Sequence, residues 1–333
     1  MKKLKESKMY EGSASPLVIE PVSDHHQELA ELVELNSGVW SDKLLEHGAL
    51  LFRGFSVWSV TDFDRFISAL KHQRLEYFHG STPRTALGNS IYTATEYPAS
   101  EEIPLHNELS YETQWPLKLA LCCLIPATFG GETPIASMRR VTAAIGAKLM
   151  DAFEERRVKY VRHYWPSVDV AWQKAFQTND RVEVAKYCVA HEITHEWLRD
   201  GILRTYQVCQ GTAHHPITNE RLFFNQAHLF HVSSVGEHAA KLLTGFFGND
   251  RLPRQTFYGD GREIPLEDLV AVRSAFSNEA QTFRWQAGDV LLLDNMQFAH
   301  GRRAFQGARH VIVGLMEPYS EKHGRPMHLK KSS

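Results

Sequence analysis

A histidine followed two residues later by an acid occurs at His26-Gln27-Glu28 and at His106-Asn107-Glu108. Such a pair can give one metal ion two ligands. With 18 histidines and 39 acidic residues in 333, roughly two such pairs arise by chance, so context must separate them. His26 falls in a predicted helix, where positions i and i+2 point about 200° apart and cannot share an ion. His106 follows Ile103-Pro104-Leu105, which reads as extended chain. In a strand i and i+2 face one side, so His106 and Glu108 can reach the same ion. An iron that binds O2 and a co-substrate takes two histidines and one carboxylate and leaves its other positions open. The third ligand must come from elsewhere, and His300 is the candidate, shortly after the apolar run Val290-Leu291-Leu292-Leu293 and the pair Asp294-Asn295.

A rival motif is His191-Glu192-Ile193-Thr194-His195, which fits the zinc-protease pattern H-E-x-x-H. On a helix both histidines would share a face, with Glu192 as general base. The segment instead runs through Ile193-Thr194 to Trp197-Leu198 and then Asp200-Gly201, an extended piece before a turn. His214 and Glu220 fit only loosely as a third ligand. A zinc metalloprotease is therefore the weaker reading.

The elements that must position these residues are mixed. Asp24 and Gln27 are placed to cap a helix carrying Leu29, Leu32 and Val33 on one face. A second helix is predicted from Ser41 to His47, stopping at Gly48, and Ala49-Leu50-Leu51-Phe52 reads as a buried strand. Thr61 opens a helix with Phe63, Phe66, Ile67 and Leu70 along one stripe. Beyond residue 90 strands and turns dominate: Leu117 to Leu124, a reversal at Gly130-Gly131 into Glu132-Thr133-Pro134-Ile135, and Val290 to Leu293. Val311, Val313 and Leu315 alternate with smaller or polar neighbours. One amphipathic helix is expected from Val141 to Phe153, using Ile145, Leu149 and Phe153.

Composition sets the outer limits. Lys+Arg (37) and Asp+Glu (39) nearly cancel, and 43% of residues are hydrophobic. That balance does not point to nucleic acid or an anionic membrane as partner, and no apolar run approaches the ~18 residues of a membrane span. Four cysteines do not make a disulfide framework in a chain this long, and the adjacent Cys122 and Cys123 would face opposite sides of a strand. A reduced, cytoplasmic protein is expected. With no repeat and no linker, a single domain over 1–333 is expected, with a basic tail at 320–333.

Read in order, several blocks resemble the taurine dioxygenase/clavaminate synthase superfamily of Fe(II)/2-oxoglutarate oxygenases. They are Leu51-Phe52-Arg53-Gly54-Phe55, Tyr97-Pro98-Ala99-Ser100, Leu105-His106-Asn107-Glu108-Leu109-Ser110-Tyr111 and Gly130-Gly131-Glu132-Thr133. Phe223 to His228, Gly288 to Asn295 and His300 to Arg309 follow, so the resemblance spans about residues 45 to 316. It implies an α+β, mainly β fold: a double-stranded β-helix (jelly roll) core with flanking helices. It implies that His106, Glu108 and His300 bind Fe(II). Thr133, 27 residues after His106, and Arg309, nine residues after His300, would hold 2-oxoglutarate. An arginine forks onto a carboxylate in a way lysine cannot imitate, and Arg302 and Arg303 compete for that role. O2 is the other co-substrate.

Most of that superfamily has Asp at the carboxylate position, whereas this chain has Glu108. Glutamate there is similar to clavaminate synthase and neighbouring amino-acid oxygenases, and it disfavours a halogenase, which needs a small residue at that point. The runs Gly130 to Met138 and Trp172 to Cys188 are similar to hydroxylases of peptide-antibiotic biosynthesis. The expected substrate is therefore an amino acid, free or presented on a carrier protein, with Asn225, Gln226 and His228 on its side of the pocket. A small sulfonate or aryloxy acid is the alternative.

Overall fold

A computed structural model describes residues 4–11, 15–22, 28–76, 84–166 and 168–321. The capping pair Asp24/Gln27, His26 and residues 322–333 of the basic tail lie outside these.

The apolar runs form the middle of the largest sheet. Val290–Asp294 is hydrogen-bonded between Ala49–Phe52 and Trp115–Ile125, and His310–Tyr319 pairs with the far side of Trp115–Ile125. Among the described residues this sheet has eight strands. Both of its faces are covered, which is why the runs read as continuously apolar. Leu51, Leu121, Cys123, Leu291, Leu293, Val311 and Val313 enter one core cluster. Leu50, Phe52, Ala120, Cys122, Val290, Leu292 and Ile312 enter the other. The strand period of two thus sends Cys122 and Cys123 to opposite cores, and all four cysteines are buried and outside any disulfide.

The second core lies under the helices Leu29–Leu35, Ser37–His47 and Val60–Ala69. Leu29, Leu32 and Val33 are buried as expected. Ser59 begins the third helix by accepting from the Asp62 N–H, and Phe63, Phe66 and Ile67 are buried along its inner stripe. Two boundaries differ from expectation. The second helix starts at Ser37 rather than Ser41. The helix expected over Val141 to Phe153 is two, Met138–Ile145 and Ala147–Arg156. They are parted at Gly146, whose φ of +81° no right-handed helix accepts.

A four-stranded sheet faces the first core in the order Gln281–Phe283, Thr133–Ser137, Phe298–Arg302, Ile103–His106. On the inner strand Phe298–Arg302, His300 stands in register with His106 of the edge strand on one side and with Ile135 on the other. A third sheet, Thr194–Trp197, Leu203–Cys209, Val158–His163 and Arg254–Tyr258, completes the surround.

The Gly130-Gly131 reversal needs glycine for reasons beyond its positive φ angles of 68° and 71°. A Cβ on Gly130 would stand 2.2 Å from the Ala304 carbonyl, and one on Gly131 would stand 3.1 Å from the Arg309 Cδ. The turn is packed directly against the arginine that the sequence singles out.

Candidate active site: a two-histidine, one-glutamate centre

The sequence reading placed His106 and Glu108 together on one strand. In the structure the strand Ile103–His106 ends at the histidine, and Glu108 lies in the turn that follows. Leu109 takes a positive φ of 55° in this turn. The two side chains still converge, but through the turn rather than the pleat. The ligand atoms of His106, Glu108 and His300 lie within 4.8 Å of one another. Small side-chain movements would put all three on one ion. Among the described residues this is the one place where three such groups gather.

Each ligand is held from behind. The His106 Nδ1–H donates to the Pro104 carbonyl at 2.8 Å, which leaves the Nε2 lone pair for a metal. His300 Nε2 stands 3.8 Å from Glu108 Oε2. Burial pushes the pKa of both imidazoles below the usual histidine range, so both stay neutral, the form that binds metal.

Asn295 holds the backbone of Glu108 on both sides. Its Oδ1 accepts from the Glu108 N–H at 2.8 Å, and its Nδ2 donates to the Glu108 carbonyl at 2.9 Å and the Pro116 carbonyl at 2.8 Å. The Asn295 carbonyl in turn accepts from Asn107 Nδ2. Its neighbour Asp294 accepts from the backbone N–H of Met296 and of Gln297, and its other oxygen lies 2.9 Å from His215 Nε2. This pins the turn into the strand that carries His300. Asn295→Ala would leave the Glu108 N–H and two carbonyls unpaired in the interior, at about 1–3 kcal/mol per stranded group before relaxation. We expect a lower melting temperature together with weaker Fe(II) binding, read by thermal melts and anaerobic iron titration. Wild-type values in both would show that the clasp does not hold the site.

The 2-oxoglutarate pair also has a matching environment. Arg309 Nε donates to the Gly131 carbonyl at 3.2 Å, and Thr133 follows two residues later. Thr133 is buried, and its Oγ1 accepts from Trp285 Nε1 at 2.9 Å, which leaves the hydroxyl hydrogen for another acceptor. Among the described residues no carboxylate pairs with Arg309. Burial brings its pKa down to about 10, with the nearby Arg302 charge adding to the effect. A half-buried guanidinium with no anion among the described residues fits a co-substrate carboxylate. The rival arginines are committed elsewhere: Arg302 donates to the carbonyls of Tyr97, Pro98 and Glu101, and Arg303 pairs with Glu102 at the surface.

The residues assigned to the substrate side divide. Asn225 donates to the Gly211 carbonyl and accepts from the Ala227 N–H. Gln226 donates to the Asn107 carbonyl at 2.8 Å and to Ser110 Oγ at 3.2 Å. Both amides thus brace the wall behind the Glu108 turn. His228 is buried next to His106, its ring stacked on Phe276 at 4.8 Å. Burial, with Arg273 and His106 adding to it, lowers its pKa to about 3, so it stays neutral. Trp285 and Arg84, the latter 2.7 Å from the Glu108 carboxylate, were not singled out from the sequence.

The rival zinc motif does not assemble. His191 caps the helix Arg181–Ala190, stacked on Tyr187 at 3.8 Å with Nδ1 bonded to the Tyr187 carbonyl. Glu192 turns the chain through a positive φ of 57°. His195 lies in the strand Thr194–Trp197, opposite Thr205. The two histidines therefore share no helix face.

Two histidines and a carboxylate gathered at one point, with a half-buried arginine that pairs with no carboxylate among the described residues, fit an Fe(II)- and 2-oxoglutarate-dependent oxygenase centre. Residues 19–316 match the model of the taurine catabolism dioxygenase TauD, TfdA family, and the chain belongs to that family. It is 40% identical over 275 residues to the dapdiamide synthesis protein DdaC of Enterobacter agglomerans, covering 83% of this chain and 84% of that one. It is 30% identical over 328 residues to a clavaminate synthase-like protein of Arabidopsis thaliana, covering 93% and 96%. The fold is shared with PvcB of Pseudomonas aeruginosa at a TM-score of 0.55 and 16% identity, covering 94% and 91%. PvcB is an Fe, alpha-ketoglutarate dependent oxygenase. The protein is accordingly a 2-oxoglutarate-dependent non-haem iron dioxygenase. Among the described residues, no helix is long and apolar enough to cross a membrane.

Proposed function

We propose that this dioxygenase hydroxylates an unactivated C–H bond of an amino acid, free or as a carrier-bound aminoacyl group, in a pathway of secondary metabolism. The observation that carries the reading is the 40% identity to a dapdiamide synthesis protein over most of both chains. Glutamate rather than aspartate at position 108 supports it. Iron(II), when bound with 2-oxoglutarate and O2, supplies the oxidant that exchanges a substrate hydrogen for hydroxyl, with succinate and CO2 as co-products.

The chain's own residues provide the rest. His106, Glu108 and His300 would hold the metal and leave its remaining positions to 2-oxoglutarate and O2. Arg309 and Thr133 fix the far carboxylate of 2-oxoglutarate. Tyr111 and Phe230, with ring centroids 5.0 Å apart, pack against the first core cluster, and His228 offers a neutral polar group beside His106. A few placed polar groups among apolar walls suit a small zwitterion or its thioester. The two sheets packed across the first core support a jelly-roll reading of residues 45–316 and of the chain as one domain.

The test is a panel of free amino acids, and of aminoacyl thioesters on a carrier protein, incubated with Fe(II), 2-oxoglutarate and O2. We expect a product heavier by one oxygen, with one succinate per turnover, read by mass spectrometry. Coupled turnover with taurine or an aryloxyacetate, and with no amino-acid form, would overturn the proposal.

A further inference from the structure

A glutamate that serves as a metal ligand has a problem an aspartate lacks. Its extra methylene adds a rotatable bond, so fixing the backbone no longer fixes the carboxylate. Asn295 secures only the base of Glu108, through its N–H and C=O. The tip is met by Arg84: Nη2 lies 2.7 Å from Glu108 Oε2 and 3.5 Å from Thr95 Oγ1. The pair is buried, with side-chain exposures of 4% and 5%. The same Glu108 Oε2 stands 3.8 Å from His300 Nε2, so the guanidinium bonds the carboxylate oxygen that faces the histidine. A charge-assisted bond in such a place is short, directional and strong. Ligating carboxylates depend on outer partners of this kind for their orientation.

We propose that Arg84 is the positioning residue that allows glutamate to serve as the iron carboxylate here: it fixes the tip of Glu108 while Asn295 fixes the base. The inference rests on the iron-site reading above. It predicts a coupling between positions 84 and 108. An aspartate at 108 is one methylene shorter and falls away from Arg84, so the arginine matters only while glutamate is present.

The test is a double-mutant cycle of Arg84→Met and Glu108→Asp on the full chain. It is read by anaerobic Fe(II) titration and by the visible absorbance of the Co(II)-substituted protein, with thermal melts to check folding. Arg84→Met is expected to weaken Fe(II) binding roughly 10–100-fold and to shift the Co(II) bands. Arg84→Lys, which keeps a charged donor, should recover part of the loss and guards against a methionine variant that fails to fold. In the Glu108→Asp background Arg84→Met should change Fe(II) affinity less than threefold. Equal losses in both backgrounds would overturn the proposal in favour of a general packing role. Unchanged Fe(II) affinity with a raised requirement for 2-oxoglutarate or substrate would also overturn it, making Arg84 an anion-binding group. Failure of the iron site itself is distinguishable, because His106→Ala and His300→Ala would then leave Fe(II) binding intact.

Discussion

His106→Ala and His300→Ala are each expected to reduce Fe(II) binding from about one ion per chain to background, and turnover with it. The ligand set has no spare member. Among the described residues no other group of three histidine, cysteine or acidic side chains comes within reach of one ion. Both imidazoles are held neutral by burial, and the His106 tautomer is set by the Pro104 carbonyl. Alanine at either position therefore removes a prepared ligand rather than one of several alternatives. His191→Ala and His195→Ala are the controls, since their rings lie on a helix cap and a strand. Iron lost from either control, with His106→Ala harmless, would sink the assignment. Iron content by elemental analysis and succinate release measure the two effects separately.

Arg309→Ala is the second large effect. The guanidinium is half-buried, bonded to the Gly131 carbonyl, and paired with no carboxylate among the described residues. The distal carboxylate of 2-oxoglutarate would meet it there. Removing one partner of a buried charge pair costs about 3–5 kcal/mol because the other charge is stranded. That corresponds to a rise in the 2-oxoglutarate requirement of roughly two to four orders of magnitude. Arg309→Lys should fall between the two, since it keeps the charge and loses the fork. Thr133→Ala removes one neutral hydrogen bond, worth about 0.5–1.5 kcal/mol, and should raise the requirement by at most about tenfold. The check is the KM for 2-oxoglutarate together with direct binding to the Mn(II) form. An unchanged KM in Arg309→Ala would mean that the co-substrate is held elsewhere.

The parts of this molecule that sequence made visible are those where a local pattern maps onto a face. Val290 to Leu293 and Ala49 to Phe52 are buried on both sides, and a run of large apolar residues has few other ways to lie. The ligand histidines were legible because residue type is itself chemical information. The placement of Glu108 was only partly legible. Strand geometry suggested the pairing with His106, whereas a turn with Leu109 at positive φ provides it, and no residue in Asn107-Glu108-Leu109 announces that turn. Arg84 was invisible for a different reason. It meets Glu108 across a separation of 24 positions, and an isolated arginine carries no periodicity. Trp285 reaches Thr133 across 152 positions and was hidden in the same way. The split at Gly146 shows the opposite limit: the apolar spacing continues through it, and the backbone does not.

The register that sets His300 opposite His106 has a thermodynamic consequence. An ion held by both, and by Glu108, ties together stretches of chain almost two hundred positions apart, and only the folded state offers all three ligands at once. Metal affinity is then also conformational stability. At a free Fe(II) level one hundred times the dissociation constant, the linkage amounts to about 2.7 kcal/mol, a sizeable share of the 5–15 kcal/mol typical of a folded domain. Loss of iron would therefore cost the polypeptide conformational stability as well as turnover, and the metal-free protein is expected to melt at a lower temperature than the loaded one.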